Sequence, residues 1–252
     1  MAEESFVRRY APKLLAAFLL TFASGLVDIV GYTGVFHFFT AHLTGTTVQL
    51  GHGLASHAWR DVSAAATIVA AFVGGSILGR VLIQIGSRKR VRRIASLTLA
   101  IEGLLLALIA LAHFNYSARP YWGLGVLAMA MGIQTATLTG VGPLTVHTTF
   151  VTGMLNKVAQ LASRVAFRAY DHRRSGVWAF DAHREQRNDI QVILVLLVVW
   201  LSYVGGAIAG TLAFESAGLR SLFIAIGLLT LALVCDQVSP LSIEEEKEQS
   251  ER

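Results

Sequence analysis

Six apolar runs, each close to the roughly 20 residues that a membrane-spanning helix needs, constrain this chain more than any other feature. They fall at about 13–36, 62–85, 94–114, 121–142, 190–213 and 219–238. Hydrophobic residues make up 54% of the 252 and charged residues only 15%, well below the quarter usual in soluble domains. A chain so poor in polar surface is expected to use lipid as its solvent. The first run is too long for a signal-peptide core and lacks a small-x-small cleavage site, so it reads as a mature helix. The expected fold class is all-α integral membrane, with about six transmembrane helices.

The placement of charge says more than the net value of +5. Arg88, Lys89, Arg90, Arg92 and Arg93 separate the second and third runs. Lys157, Arg164, Arg168, Arg173, Arg174, Arg184 and Arg187 separate the fourth and fifth. Arg8, Arg9 and Lys13 open the chain, and Lys247 and Arg252 follow the last run. The other side keeps only Arg60, Arg119 and Arg220. The positive-inside bias therefore predicts cytoplasmic termini. Basic stretches wedged between apolar spans read as topology signals, and no nucleic-acid partner is expected. The chain divides into a cytoplasmic N-terminus (1–12), a first repeat (13–114), a second repeat (115–238) with a basic cytoplasmic loop (164–189), and a disordered cytoplasmic tail (239–252).

Two signatures occur twice in the same order. Thr40-Ala-His-Leu-Thr-Gly45 matches Thr148-Thr-Phe-Val-Thr-Gly153, and Val73-Gly-Gly-Ser-Ile-Leu-Gly79 matches Val204-Gly-Gly-Ala-Ile-Ala-Gly210. The offsets are 108 and 131 residues, and the basic loop accounts for the difference. Each half thus reads as a span, a Thr-Gly segment, a Gly-rich span and a third span. Three crossings per copy is an odd number, so the second copy is expected to enter from the opposite face, the inverted-repeat plan of transporters and channels. Gly75, Gly79, Gly206 and Gly210 put small residues on one helix face and are read as helix-packing positions. The two Gly-rich helices are expected to pack together at the pseudo-symmetric centre.

The Thr-Gly segments are too polar and too short for ordinary spans. Thr44, Gly45 and Thr46 open one, and Thr152 and Gly153 open the other, with Thr expected to cap each short helix. Two placements fit: discontinuous or re-entrant helices whose N-termini meet at the midplane, or amphipathic helices lying flat at the interface. The first would aim free N–H groups and positive dipole ends at a small anionic or polar solute.

Two carboxylates fall inside spans, where ionisation demands a partner, water or a proton. Asp28 reads either as a proton-coupling group or as a hydrogen-bonded tie between helices. Glu102, one turn or more inside the cytoplasmic end, reads either as a structural residue able to snorkel or as a second solute- or proton-binding candidate. Gln134 and Thr135 lie in an unusually polar fourth span, and Thr135 corresponds to Asp28 in the other half. Asp28, Gln134 and the two Thr-Gly turns are the expected central polar site. His37, His42, His52 and His57 read as interfacial histidines on the outer side, with His42 and His37 the alternative pH-sensitive candidates. The histidine spacing makes no metal signature, and no cofactor is expected. No nucleophile, zinc-protease, P-loop or dinucleotide motif occurs, so no enzyme is expected.

The carrying residues Gly25-Leu-Val-Asp28 with Gly31, His42-Leu-Thr-Gly45 with Val48, Gly132-Ile-Gln134-x-Ala136 and Thr148-Thr-Phe-Val-Thr-Gly153 resemble the YoaK-like family of bacterial membrane proteins, a family of unknown function. The resemblance runs over about residues 11 to 238. It implies a bacterial inner-membrane location and no activity. The family usually shows Asn where this chain has Thr46 and Thr135. The leading expectation is a transporter or channel for a small polar or anionic solute, proton-coupled through Asp28. Lipid and the solute are its partners, and a homodimer built on a Gly-rich face suits its small size. The rival is a non-transport membrane factor for assembly, sensing or partner docking through the basic loop.

Overall fold

The computed structural model describes residues 10–89, 91, 93–112, 121–138, 140–141, 144–145, 149, 151–175, 180–239 and 241. Arg8, Arg9, Arg90, Arg92, Arg119, Thr148 and nearly all of the tail lie outside the described residues, as do the side chains of Arg173, Arg174 and Arg184. The described chain is built of α-helices: α1 (Ala11–Gly31), continued by a π-turn (Tyr32–Phe36), α2 (Leu43–Ala55), α3 (Trp59–Arg88), α4 (Ile94–Leu111) and α5 (Tyr121–Thr137). A minimal antiparallel pair, β1 (Gly140–Val141) and β2 (Leu144–Thr145), precedes α6 (Val151–Ser175). After it come α7 (Phe180–Ala217), a 3-10 turn (Gly218–Ser221) and α8 (Leu222–Val238).

Helices satisfy every backbone group locally, which is what hydrocarbon demands of a chain this apolar. Four helical stretches among the described residues are long and apolar enough to cross a membrane: Ala11–Gly34, Trp59–Arg88, Ile94–Leu111 and Glu185–Val238. The last contains both α7 and α8, joined at the 3-10 turn. Leu104, Leu111, Leu201, Leu212 and Val234 are exposed. Apolar surface of that kind on long helices belongs against lipid. The chain is an all-α membrane protein.

Helix α3 packs along α5, and α1 packs along α7 and α8. Helix α4 packs on α5 and α8, α2 folds back on α3, and α6 folds back on α7. The Gly-rich helices α3 and α7 therefore do not form a centre with each other, contrary to expectation. Each lies on the first helix of the other half. A Cβ on Gly75 would stand 2.2 Å from the Met129 carbonyl oxygen, and one on Gly206 2.0 Å from that of Phe22. Gly79 faces Ile133 and Ala136, and Gly210 faces Leu26 and Ile29. These four glycines are helix-packing positions inside the chain, as expected of them.

The basic segment 164–189 is a further correction. Helix α6 runs on to Ser175 and α7 starts at Phe180, so most of this stretch is helical. Arg168 donates to Asp189 at 2.9 Å and to Glu185 at 2.5 Å, and Arg164 stands 3.7 Å from Asp189. The arginines thus tie α6 to α7, an arrangement that linear charge counting does not reveal. Glu102 is the ninth of the 18 residues of α4 and has no exposed surface. It does not snorkel, because its helix is covered on that face.

Candidate functional site

Helix α1 runs unbroken through Gly25 to Gly31. Its continuation ends in the π-turn, and His37 then adopts a left-handed conformation (φ 60°) that reverses the chain. π-turns of this kind interrupt helices at functional places. Tyr32 stacks on Phe39 with ring centroids 4.6 Å apart, and Phe39 meets His42 edge-on at 5.9 Å. Gly31 lets the returning chain come close, since a Cβ there would stand 2.8 Å from Thr40 Cγ2.

The return brings Thr40 and Ala41 beside Asp28. The Thr40 and Ala41 backbone N–H groups and the Thr40 hydroxyl all donate to Asp28 Oδ1 at 2.8 Å. The Tyr203 hydroxyl, on α7, donates to Oδ2 at 2.6 Å. Four donors satisfy a buried carboxylate. Asp28 fastens the turn before α2 to the body of α1 and to α7.

In the second half a contact between neutral groups joins α5 to the chain before α6. Thr135, midway along the polar end of α5, donates to the Met131 carbonyl, and its hydroxyl lies 3.0 Å from that of Thr149. Thr149 stands two residues before the start of α6, as Ala41 stands two before α2.

Between these two sets of contacts lies a cavity of about 370 Å³, lined by Ala41, His42, Leu43, Thr44, Phe72, Thr135, Thr149, Val151 and Thr152. The first residues of both α2 and α6 border it. Thr44 and Thr152 hold the same second position of their helices, so neither is the cap expected of it. His42 precedes α2 and offers no side-chain cap, so the N–H groups of the first turn keep no helical acceptor. Hydroxyls, an imidazole and two helix starts face an apolar wall of Phe72, Leu43 and Val151. None of the described lining residues is a carboxylate, which suits an anion or a neutral polar group better than a cation.

Not every expected site residue reaches this cavity. Thr44, Thr135, Thr152 and His42 line it. Asp28 sits behind it, one residue removed through Ala41. Thr46 is buried and turns its hydroxyl to the His42 carbonyl. Gly45 packs against the His42 ring, and Gly153 occupies the matching position of α6 without being a lining residue. Gln134 points elsewhere, donating to the Leu20 carbonyl and the Ser24 hydroxyl and so tying α5 to α1. Glu102 lies in α4, away from the lining residues. Sequence reasoning missed Thr149, Phe72 and Tyr203. The repeat offset of 108 maps Ala41 onto Thr149 and would have found it. Nothing in the local sequence marks Tyr203. Among the described residues, no cluster of metal-ligating side chains forms.

A family model described as "Protein of unknown function (DUF1275)" matches residues 16–235. The chain belongs to this family. It is also similar to the UPF0700 transmembrane protein YoaK of Bacillus subtilis (strain 168), with 28% identity over 152 residues, 60% of this chain and 68% of that protein. No solved structure matches.

Proposed function

We propose that this membrane protein is a transporter or channel for a small anionic or polar solute, rather than an enzyme. The observation that carries the reading is the cavity of about 370 Å³ bordered jointly by the starts of α2 and α6. Two helix N-termini bordering one cavity is how discontinuous-helix transporters hold a charged substrate.

In this reading six helices cross the bilayer as two inverted repeats, with α2 and α6 as the discontinuous elements and both termini in the cytoplasm. The close helix contacts support it. Gly25 faces the Tyr203 carbonyl while Gly132 faces that of Phe72, Gly75 faces Met129 while Gly206 faces Phe22, and Gly79 faces Ile133 while Gly210 faces Leu26. Each pair of contacts interconverts by adding 107 to positions in the first helix and 131 to positions in the Gly-rich helix of the first half. Such correspondence is what a pseudo-two-fold axis produces. The descent of Thr40 and Ala41 to the level of Asp28 supports a re-entrant turn over a helix lying flat, because non-helical backbone at that depth needs protein partners.

The test is solute-dependent thermal stabilisation of the purified full-length protein, across inorganic anions, carboxylates, amino acids, sugars and cations. A solute that binds only the folded state at a hundred times its Kd adds about 2.7 kcal/mol. Anions are expected to raise the midpoint of the wild type and not that of Thr135→Val/Thr149→Val. If no class stabilises the wild type, the reading gives way to a partner-binding factor working through the α6–α7 hairpin.

A further inference from the structure

Among the described residues, the Glu102 carboxyl group is buried without a partner. Glu102 stands halfway along α4, has no exposed surface, and neither of its carboxyl oxygens has a hydrogen-bond partner. Asp28 is the opposite case, with four donors on its two oxygens. We propose that Glu102, not Asp28, is the proton-binding site of this protein: a neutral carboxylic acid in the packed conformation that loses its proton only when the seam between α4 and α5 opens to water.

The surroundings carry this assignment. The Thr137 hydroxyl of α5 donates to that of Thr98 on α4 at 2.8 Å, and Thr98 donates on to the Ala95 carbonyl. Thr98 lies one turn before Glu102, on the same face of the helix. Both hydroxyls therefore have settled partners, and neither is committed to the carboxyl. On the other side Gly103 approaches Leu229 of α8, at 4.0 Å for a Cβ placed there, and Leu99, Leu106 and Ile109 complete a buried apolar face.

Charged and titratable groups of the packed elements are engaged elsewhere, lie toward the helix ends or, like Arg80 of α3, stand along a helix without bonding to Glu102. Asp236 of α8 accepts from the Ser96 hydroxyl at 2.5 Å and from the Leu241 N–H at 3.0 Å. Its level on α4 is six residues from Glu102, about 9 Å along the axis. Cys235 adjoins it, and Tyr121 opens α5 at the far end. On α3, Arg88 lies at the end that meets α4 through Gly86 and Ile94, Asp61 lies at the other end, and Arg80 stands between them. Arg220 belongs to the 3-10 turn. None of these groups bonds to Glu102, whose oxygens are without partners. An unpartnered charge at this depth costs several kcal/mol, whereas a bound proton removes the charge. Opening the seam supplies water, so the proton can leave, and closing it again requires one to return. That is the elementary step of a proton-coupled cycle.

The coupling role rests on the transport reading, while the proton on Glu102 does not, and two measurements separate them. In the first, infrared spectra of the full-length protein in liposomes are recorded at neutral pH for the carbonyl stretch of a protonated carboxylic acid. The wild type is expected to show the band, Glu102→Gln to lose it, and Asp28→Asn to keep it. Glu102→Asp guards against a folding failure of the Gln variant, and is expected to shift the band in frequency without removing it. A wild type with no such band overturns the inference, as does a band lost in Asp28→Asn and kept in Glu102→Gln. In the second, an imposed pH gradient drives uptake of whichever solute stabilises the protein. The gradient is expected to accelerate the wild type several-fold and Glu102→Gln not at all. Equal acceleration of both overturns the coupling role. A screen that yields no solute removes the transport reading and the coupling with it, and leaves the infrared result to decide the proton.

Discussion

Adjacent glycines on α3 provide a sharp test of how these helices are held together. A Cβ on Gly75 would stand 2.2 Å from the Met129 carbonyl oxygen, while one on Gly74 meets nothing within 4 Å. Ordinary van der Waals contact begins at 3.4 Å, so Gly75→Ala forces α3 and α5 apart locally by about 1.2 Å. The obstructing atom is backbone and cannot rotate away. A gap of 0.5–1 Å already forfeits a quarter to a half of a dispersion contact, and this seam joins helices of 30 and 17 residues. The cost is expected at the upper end of ordinary overpacking, about 3 kcal/mol. Gly74→Ala removes a flexible residue from a helix interior at no steric cost and is expected to stabilise by about 0.5–1 kcal/mol. At about 2–4 °C per kcal/mol for a chain of this size, Gly75→Ala lowers the melting midpoint by about 6–12 °C while Gly74→Ala raises it slightly. Thermal unfolding in one detergent, all variants side by side, reads both. Equal midpoints for Gly75→Ala and the wild type would refute the close-packed seam. So would an equal loss in both variants.

Other expectations follow from the same geometry. Asp28→Ala leaves two backbone N–H groups and two hydroxyls without their acceptor, each costing about 1–3 kcal/mol, so it is expected to fold poorly. Tyr203→Phe removes only the 2.6 Å bond to Oδ2 and is expected to lower stability by about 1.5–3 kcal/mol, read as a smaller midpoint shift than that of Asp28→Ala. Thr152→Trp fills the cavity and is expected to abolish solute stabilisation while leaving the solute-free midpoint near wild type. Arg168→Ala breaks two ion pairs that lie partly in solvent, worth together about 1 kcal/mol or less. It is expected to speed amide exchange at the end of α6 with little change in the overall midpoint. In a Cys235→Ala background, Ser56→Cys is expected to react with an impermeant thiol reagent from outside intact cells, and Ser87→Cys only after lysis. The reverse pattern would invert the topology.

Much of the architecture is legible along the chain because hydrocarbon is an undemanding solvent to read. A helix that crosses it must be long and apolar, so the runs and the boundaries near Arg88 and Ile94 stand out. The Thr-Gly turns are visible for the opposite reason, as polarity and glycine where an uninterrupted span would have neither. The same local logic misassigned the stretch 164–189, since an amphipathic helix held by cross-helix ion pairs has the composition of a polar loop. It also took Gln134 for a site residue, because polarity shows that a side chain needs a partner and not which partner it finds.

The sequence by itself determined the solvent, the helical class, the family and the two places where the chain turns polar. Those follow from composition and short-range pattern, which act residue by residue. Only the tertiary structure decided that Asp28 closes on Thr40, Ala41 and Tyr203, that Thr149 completes the cavity, and that Glu102 is left without a partner. Tyr203 is 175 residues from Asp28, and no periodicity carries information over that distance. The glycines set how closely the helices approach, and that approach determines which polar atoms meet and which remain alone.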